Sequence, residues 1–495
     1  MKVKEIFRQA SFNIIGYAFN IITVIITIPI LSKFLDSERL GLYFLFNSFI
    51  GYYSILDFGL TQGIIKYISK YDTLDHKDKF NEILTSVFLF YLIISAIIFL
   101  IIIFFSNKII KLLNITNNLI SEANYVIFFV TISFIFSLLN SIFSSSFQAI
   151  MRFDLSNLLN LLSVILLNLF TIILLVNGLG LIHIFITQNI IFLMLLVISA
   201  VLFKKQRNFI KLNFNNSFRN IITLMRYSFF VFISKLSNHI NTNFIPFFLS
   251  YFHSPAIIPY FFIPLKLMNI VSVIISSFSN TILPVSSKFY EKNKIESIDK
   301  LISISNYLIF YFLTPLYLFL FLSSFNILTL WVNEDFAHKS YKILSLISIS
   351  YYLSSYTVTP SMSLLGIGES KFIGMYSFIL SIISFSLNLL MIKYFSYMGA
   401  GFSNLIISFN SFLFIFLAKR KLNLRLFEQY RIKIFKVYKL LLTLTIMYTL
   451  HYVSISFELP NLAQLIIQII IIILYYISLV SFNIKEILNF FKNEV

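Results

Sequence analysis

Three charged residues lie inside long apolar segments of this chain: Asp57, Lys235 and Lys266. Each is roughly 12 Å or more from the nearest end of its predicted helix, at about 1.5 Å of rise per residue. A charge at the centre of a membrane costs about 2.5–3.5 kcal/mol, so such residues normally face other protein or a wet cavity. We therefore expect Lys235 and Lys266 to line a substrate path, and Asp57 is a further candidate for the same path. The alternatives are lysines that extend to the membrane surface and a purely structural Asp57–Lys235 pair.

Polar residues recur at helical spacing around both lysines. The helix faces in question carry Lys235, Asn238, His239 and Asn243 in one segment, and Lys266, Asn269, Ser272, Ser276 and Asn280 in the next. A polar stripe can also join helices to each other, and we favour that interpretation for a third stripe, formed by Ser377, Ser381, Ser384 and Asn388. Because a stripe that contains a lysine is harder to explain in this way, the first two predict substrate contacts. Asn13 and Asn20, in the first predicted helix, are candidates for the opposite wall of the substrate path.

Other kinds of chemistry find little support in the sequence. The chain has no cysteine, so it has no disulfide and no thiolate nucleophile, and its six histidines are scattered without metal spacing. The segment Gly366-Ile-Gly368-Glu-Ser-Lys371 has the wrong spacing for a nucleotide-binding loop, and we interpret it as a tight turn. No Ser-His-Asp group or carboxylate pair is present at readable spacing. We therefore expect no cofactor, no metal and no catalytic residue, and a protein that is not an enzyme.

The elements that must position these residues are predicted to be membrane helices. Hydrophobic residues make up 58% of the chain, charged residues 12%, and the mean hydropathy is +0.89. Soluble domains carry about 25% charged residues, and about 20 apolar residues span a bilayer as a helix. Fourteen apolar segments of that kind are predicted, at 10–35, 40–65, 83–106, 122–148, 156–176, 181–203, 227–251, 257–286, 301–328, 340–365, 372–393, 401–418, 438–456 and 462–482.

The distribution of basic residues indicates the orientation. Of the 38 lysines and arginines, 29 fall on the side that holds both termini and seven on the other side. Such an asymmetry places both termini in the cytoplasm. The formal charge of +18 is therefore mainly topological, and we expect no nucleic-acid partner. The basic run that begins at Lys419 is predicted to rest on anionic membrane lipids, and Arg152 with Asp154 to form a salt bridge at the cytoplasmic boundary.

An internal repeat divides the predicted helices into two groups. Pro29 precedes Lys70 by 41 residues, and Pro246 precedes Lys288 by 42. Asn168 precedes a Gly-Leu-Gly turn, and Asn388 a Gly-Ala-Gly turn, at similar distances. Two parallel six-helix lobes with a site between them are typical of transporters. The predicted organisation is an N-lobe at 1–203, a cytoplasmic linker at 204–226, a C-lobe at 227–418, a basic connector at 419–437, and two further helices with a cytoplasmic tail at 438–495.

Several short motifs resemble those of a known family. Ile28-Pro29-Ile-Leu-Ser, Leu40-Gly41-Leu-Tyr43 and Leu56-Asp57-Phe-Gly59-Leu60 resemble the start of Wzx-type polysaccharide flippases, which belong to the multidrug/oligosaccharidyl-lipid/polysaccharide exporter superfamily. Later motifs are similar as well, namely Gln148…Arg152, Gly366…Gly368…Lys371 and Gly399-Ala-Gly401. The resemblance covers nearly the whole chain.

The resemblance implies a fold and an activity. The fold is all-α and integral to the membrane, with two MATE-like six-helix lobes around a cavity and two C-terminal helices. Members move undecaprenyl-diphosphate-linked oligosaccharides from the cytoplasmic to the periplasmic leaflet by alternating access. We thus expect a bacterial inner-membrane flippase for O-antigen or capsule biosynthesis. Its expected partners are the lipid-linked oligosaccharide, membrane lipids, H⁺ or Na⁺ coupled through Asp57, and polysaccharide polymerase machinery.

Several alternatives stay open at this point. A multidrug antiporter of the same superfamily would need carboxylates for cationic drugs, and only Asp57 is evident here against two lysines. A lipid II flippase is closer, because its cavity is likewise basic. A membrane polysaccharide polymerase or glycosyltransferase would present large outer loops with charged catalytic residues, and the predicted loops are short. A scaffold without transport activity would leave the buried lysines unexplained.

Overall fold

The computed structural model describes residues 19, 21–51, 53–422 and 434–494, and within these ranges every regular element is a helix. The α-helices are α1 (Ile21–Phe34), α2 (Ser37–Gly51), α3 (Tyr53–Leu56), α4 (Leu60–Thr73), α5 (Lys77–Leu112), α6 (Ile120–Ala149), α7 (Phe153–Val176), α8 (Leu181–Gln206), α9 (Ser217–Phe252), α10 (Ile258–Glu291), α11 (Ile295–Leu308), α12 (Thr314–Leu322), α13 (Ser324–Trp331), α14 (Glu334–Ser355), α15 (Val358–Gly366), α16 (Ser370–Ser408), α17 (Asn410–Leu422), α18 (Ile434–Ser456) and α19 (Asn461–Glu494).

Seven of the described helical segments are long and apolar enough to cross a membrane, and four shorter apolar helices accompany them. Their lipid-facing sides carry large exposed apolar side chains, such as Phe104 on α5 and Ile379 on α16. An exposed apolar surface of this kind suits contact with hydrocarbon rather than water. The chain is therefore a multi-pass membrane protein, while the number of fourteen crossings stays a prediction.

The second predicted span, at 40–65, is not one continuous helix. It is divided into α2, α3 and α4, and the interruption at Asp57, Phe58 and Gly59 falls inside the predicted apolar segment. Phe58 has φ 49° and Gly59 has φ 75°, which lie in the left-handed region. A left-handed residue ends a right-handed helix. The apolar pattern alone did not reveal this interruption, because a break changes hydrogen bonding without changing hydropathy.

The ninth predicted span, at 301–328, also departs from a regular helix. A π-helical turn, Ile309–Leu313, connects α11 to α12. Pro315 follows it, and a proline has no N–H to donate to the carbonyl four residues earlier, that of Tyr311. The Tyr475 hydroxyl on α19 donates to that carbonyl at 3.2 Å, and the Tyr476 hydroxyl donates to the Phe312 carbonyl at 2.6 Å. The Tyr475 hydroxyl thus replaces the donor that Pro315 lacks, and the Tyr476 hydroxyl adds a second hydrogen bond between α19 and the turn.

Contacts between residues divide the chain into two compact units. Unit 1 comprises Met1–Pro259 and Ser377–Ser396, and unit 2 comprises Tyr260–Tyr376 and Tyr397–Val495. Unit 1 has a large apolar core that includes Phe80, Tyr91 and Phe147. Unit 2 has a separate core around Phe289 and Phe414. This division follows packing alone, so the predicted lobe boundaries remain a prediction based on the repeat.

Candidate functional site

Asp57 occupies the helix interruption in unit 1 and is only 1% exposed. Its carboxylate accepts hydrogen bonds from the Thr61 N–H at 3.0 Å, from the Thr61 hydroxyl at 2.8 Å and from the Tyr91 hydroxyl. Thr61 lies in the first turn of α4, where the unpaired N–H groups and the helix dipole favour a negative charge. The interruption therefore provides the donors that a buried carboxylate requires.

The same interruption packs tightly against α9. A Cβ atom at Gly59 would lie 2.9 Å from the Ser228 carbonyl oxygen, so only glycine fits there. The Phe58 ring stacks on Phe232, with ring centroids 5.4 Å apart. Beyond the end of α9, a Cβ at Gly41 would lie 1.8 Å from the Pro255 carbonyl oxygen. The interrupted second span thus approaches the backbone of α9 at Ser228 and the backbone of the turn after α9 at Pro255.

Of the predicted site residues on α9, the structure describes the side chain of Asn243 alone. Asn243 is partly buried and lies beside Gly51, since its Nδ2 would be 3.2 Å from a Cβ there. The side chains of Lys235, Asn238 and His239 lie outside the described residues, as do Asn13 and Asn20. Their grouping around a substrate path, and a pairing of Lys235 with Asp57, therefore stay predictions.

Lys266 and Asn269 lie on α10 in unit 2. This helix packs against α14, where Ser340 donates to the Tyr260 carbonyl and Ser348 donates to the Met268 sulfur. Lys266 is partly exposed, and within the described part of the chain its ammonium group has no hydrogen-bond or ion-pair partner. Asn269 is exposed. The remaining members of this predicted stripe are Ser272, which bonds its own helix, and Ser276 and Asn280, whose side chains lie outside the described residues.

Tyrosines of α14 form a hydroxyl cluster that the sequence analysis missed. The Thr314 hydroxyl, the Tyr352 hydroxyl and the Tyr356 hydroxyl form a chain with 2.8 Å between successive oxygens. Tyr351 points elsewhere, because neighbouring helical residues diverge by about 100°, and its hydroxyl donates to Asn269 Oδ1 at 3.4 Å. The chain has 28 tyrosines, and no local pattern separates Tyr351, Tyr352 and Tyr356 from the rest.

Two minor predictions can be compared with the structure. Arg152 binds Asp154 through two hydrogen bonds of 3.0 Å, which confirms the expected salt bridge.

The segment Gly366–Lys371 forms the turn between α15 and α16, and a Cβ at Gly366 would lie 2.6 Å from the Leu283 carbonyl oxygen. The glycine therefore permits helix packing. Ser381, Ser384 and Asn388 are buried on α16, as helix packing requires.

Comparison with solved structures agrees with this architecture. The structure is similar to the lipid II flippase MurJ in an inward closed conformation, with a TM-score of 0.72 and 16% identity over 97% of this chain and 100% of the other. It is also similar to an inward-facing multidrug resistance MATE family transporter of the MOP superfamily, with a TM-score of 0.69 and 13% identity over 82% and 94% of the two chains. At these identities the likeness shows the fold.

Comparison of sequences gives the family. A protein from Shigella flexneri named "Putative O-antigen transporter" is 20% identical over 376 residues, which are 74% of this chain and 86% of that protein. The family model described as "Polysaccharide biosynthesis protein" matches residues 6–290, more than half of the chain. This agrees with the resemblance found in the motifs, and the chain belongs to the polysaccharide biosynthesis protein family.

Proposed function

We propose that the protein is a flippase that moves an undecaprenyl-diphosphate-linked oligosaccharide from the cytoplasmic to the periplasmic leaflet, for O-antigen or capsule biosynthesis. Alternating access of two lobes, 1–203 and 227–418, would carry the head group across the membrane. In this proposal the protein lies in the bacterial inner membrane with both termini in the cytoplasm. Partner machinery would include the polymerase that consumes the translocated glycan.

The observation that carries the proposal is Lys266, a lysine within the apolar helix α10 that has no protein partner among the described residues. A diphosphate cannot cross about 30 Å of hydrocarbon alone, because its charges would lose their hydration. A lysine offsets part of that loss through charge-assisted hydrogen bonds to the phosphate oxygens. Lys235 is proposed as the second phosphate ligand, with Asn238, His239, Asn243, Asn269, Asn13 and Asn20 as further substrate contacts.

The driving force is proposed to be an H⁺ or Na⁺ gradient, or removal of the product on the periplasmic side. Asp57 is the candidate for ion coupling, because it is a buried carboxylate within a predicted apolar span. Protonation or cation binding there would compete with the hydrogen bonds from Thr61 and Tyr91. A change at Asp57 would thereby alter the hydrogen bonds at the interruption between α3 and α4.

The test is a leaflet assay in reconstituted vesicles with a radiolabelled polyprenyl-diphosphate oligosaccharide, with and without ion gradients. Wild type is compared with Lys235→Ala and Lys266→Ala at equal protein incorporation. Lys342→Ala, a change of an exposed lysine on α14, is the matched control. We expect transfer by wild type and by the control, and a strong loss in both other variants. Transfer that survives both substitutions would remove the lysines from the mechanism, and a folded wild type without transfer would refute the proposal.

A second candidate is a lipid II flippase, which the likeness to the MurJ structure along the whole chain favours. Both substrates share a polyprenyl diphosphate, so the lysines would serve either one. Adding unlabelled lipid II to the same assay separates them. Effective competition by lipid II at equal concentration would support the second candidate.

A further inference from the structure

Asn269 is an exposed amide on a helix face that is otherwise covered. From Ile258 to Ser272 on α10, Asn269 is the one exposed residue, and all the others are buried or partly buried. Polar side chains at membrane depth face protein or water rather than lipid. This preference favours a wet rather than a lipid surrounding for Asn269. Lys266 precedes it by three residues and lies on the same helix face, with the two Cβ atoms about 5–6 Å apart.

Tyr351 adds a phenol to the same place. Its hydroxyl contacts Asn269 Oδ1 at 3.4 Å, near the upper limit for a hydrogen bond, and its ring is partly exposed. The hydroxyl of its neighbour Tyr352 is instead held between Thr314 and Tyr356. Tyr352 thus fastens α14 to α12, whereas the hydroxyl of Tyr351 retains hydrogen-bonding capacity for a ligand.

The combination of an amide, a phenol and a partly exposed ring differs from a phosphate site. The ammonium group of Lys266 suits an anion, because its hydrogen bonds to phosphate oxygens are charge-assisted. Asn269 supplies donors and an acceptor, and Tyr351 supplies a hydroxyl that can do either. Paired donors and acceptors match the hydroxyl groups of a sugar, and the apolar face of a pyranose ring can pack on the phenol. The arrangement therefore suits a sugar beside an anion.

We propose that Asn269 and Tyr351 form a sugar-binding subsite in unit 2, beside the phosphate contact of Lys266. This inference rests on the proposed function, and it separates recognition of the glycan from recognition of the diphosphate. Asn269 and Tyr351 contact the carbohydrate, and Lys266 contacts the phosphate. Tyr351 is the residue that determines how strongly the glycan contributes to binding.

The test compares binding of two lipids to the purified full-length protein in detergent. One is bare undecaprenyl diphosphate, and the other is undecaprenyl-diphosphate-linked oligosaccharide isolated from cells that express the protein natively. Tyr351→Phe removes only the hydroxyl, and we expect it to weaken binding of the glycosylated lipid about 3- to 10-fold. Binding of the bare lipid should not change. Tyr351→Leu, which also removes the ring, should weaken binding of the glycosylated lipid further.

Two control variants make the result specific. Lys266→Met should weaken binding of both lipids, because both contain the diphosphate. Tyr352→Phe should leave the ratio of the two affinities unchanged, because its hydroxyl lies in the Thr314–Tyr356 chain. Equal weakening of both lipids by Tyr351→Phe, or no weakening at all, would overturn the subsite while leaving the flippase intact. A folded wild type that binds neither lipid would refute the proposed function and the subsite with it.

Discussion

Asp57 and Lys266 are both charged residues within long apolar segments of the sequence, but their surroundings differ. Asp57 in unit 1 is buried and accepts hydrogen bonds from Thr61 and Tyr91. Lys266 in unit 2 is partly exposed and has no such partner among the described residues. Removal of a buried charge destabilises a fold when the donors that contacted it stay behind without an acceptor. A charge without internal partners is available to a ligand, which is the basis for the proposed phosphate contact of Lys266, whereas the Asp57 carboxylate is held by partners within the fold.

The largest effect on stability is expected for Asp57→Ala. The substitution leaves the buried Tyr91 hydroxyl and the Thr61 groups without their acceptor, at a cost of about 3 kcal/mol or more. The unfolding midpoint of the detergent-solubilised protein should fall accordingly, whereas Asp78→Ala, at an exposed position on α5, should change it little. Equal midpoints for the two variants would contradict the structural role of Asp57. Asp57→Asn keeps much of the hydrogen bonding, so loss of ion-dependent transport in that variant would separate coupling from stability.

The second-largest loss of stability is expected for Gly59→Ala, with Gly178→Ala as a matched control. Both glycines have φ 75°, but a Cβ at Gly178 would have no atom within 4 Å, whereas one at Gly59 would meet Ser228. The left-handed conformation alone costs about 1–2 kcal/mol, and the steric conflict at Gly59 adds about 1–3 kcal/mol. Thermal unfolding should therefore show a larger loss for Gly59→Ala. Similar losses would mean that the α9 contact relaxes readily.

A smaller effect is expected for Tyr352→Phe. It breaks the chain from Thr314 to Tyr356 and should lower the free energy of unfolding by about 1 kcal/mol. Tyr351→Phe removes one long hydrogen bond at a partly exposed site and should be nearly neutral. Unfolding midpoints measured side by side would show the difference, and a larger loss at Tyr351 would identify it as a structural residue.

The smallest effect on stability is expected for Lys266→Met. Because the ammonium group has no partner to leave behind, removing it should change the free energy of unfolding by less than about 0.5 kcal/mol or increase it. Binding of undecaprenyl diphosphate should nevertheless fall strongly. A marked loss of stability would show that Lys266, like Asp57, belongs to the packing of the fold.

The sequence predicted the helical membrane fold, because hydropathy is a property of residue types, while the roles of Asp57 and Lys266 stay predictions. It did not predict the interruption at Asp57–Gly59, because the apolar pattern continues through it. It also did not distinguish Tyr351 from Tyr352, since their roles differ only through the partners that α10 and α12 bring near them. Tertiary contacts of this kind have no periodicity in one sequence.

The hydroxyl groups of Tyr475 and Tyr476, which bond the π-helical turn, have a consequence for how this chain can change over time. Pro315 and Tyr475 compensate each other, since the proline leaves the Tyr311 carbonyl free and the tyrosine occupies it. Loss of α19 would therefore leave the Tyr311 carbonyl without its donor, and replacement of Pro315 by a residue with an N–H would supply a new one. Truncation at residue 437 should destabilise the protein more in the natural background than in a Pro315→Ala background. The last two helices and one proline far from them in sequence thus form an epistatic pair, which ties the C-terminal extension to the evolution of the helices it covers.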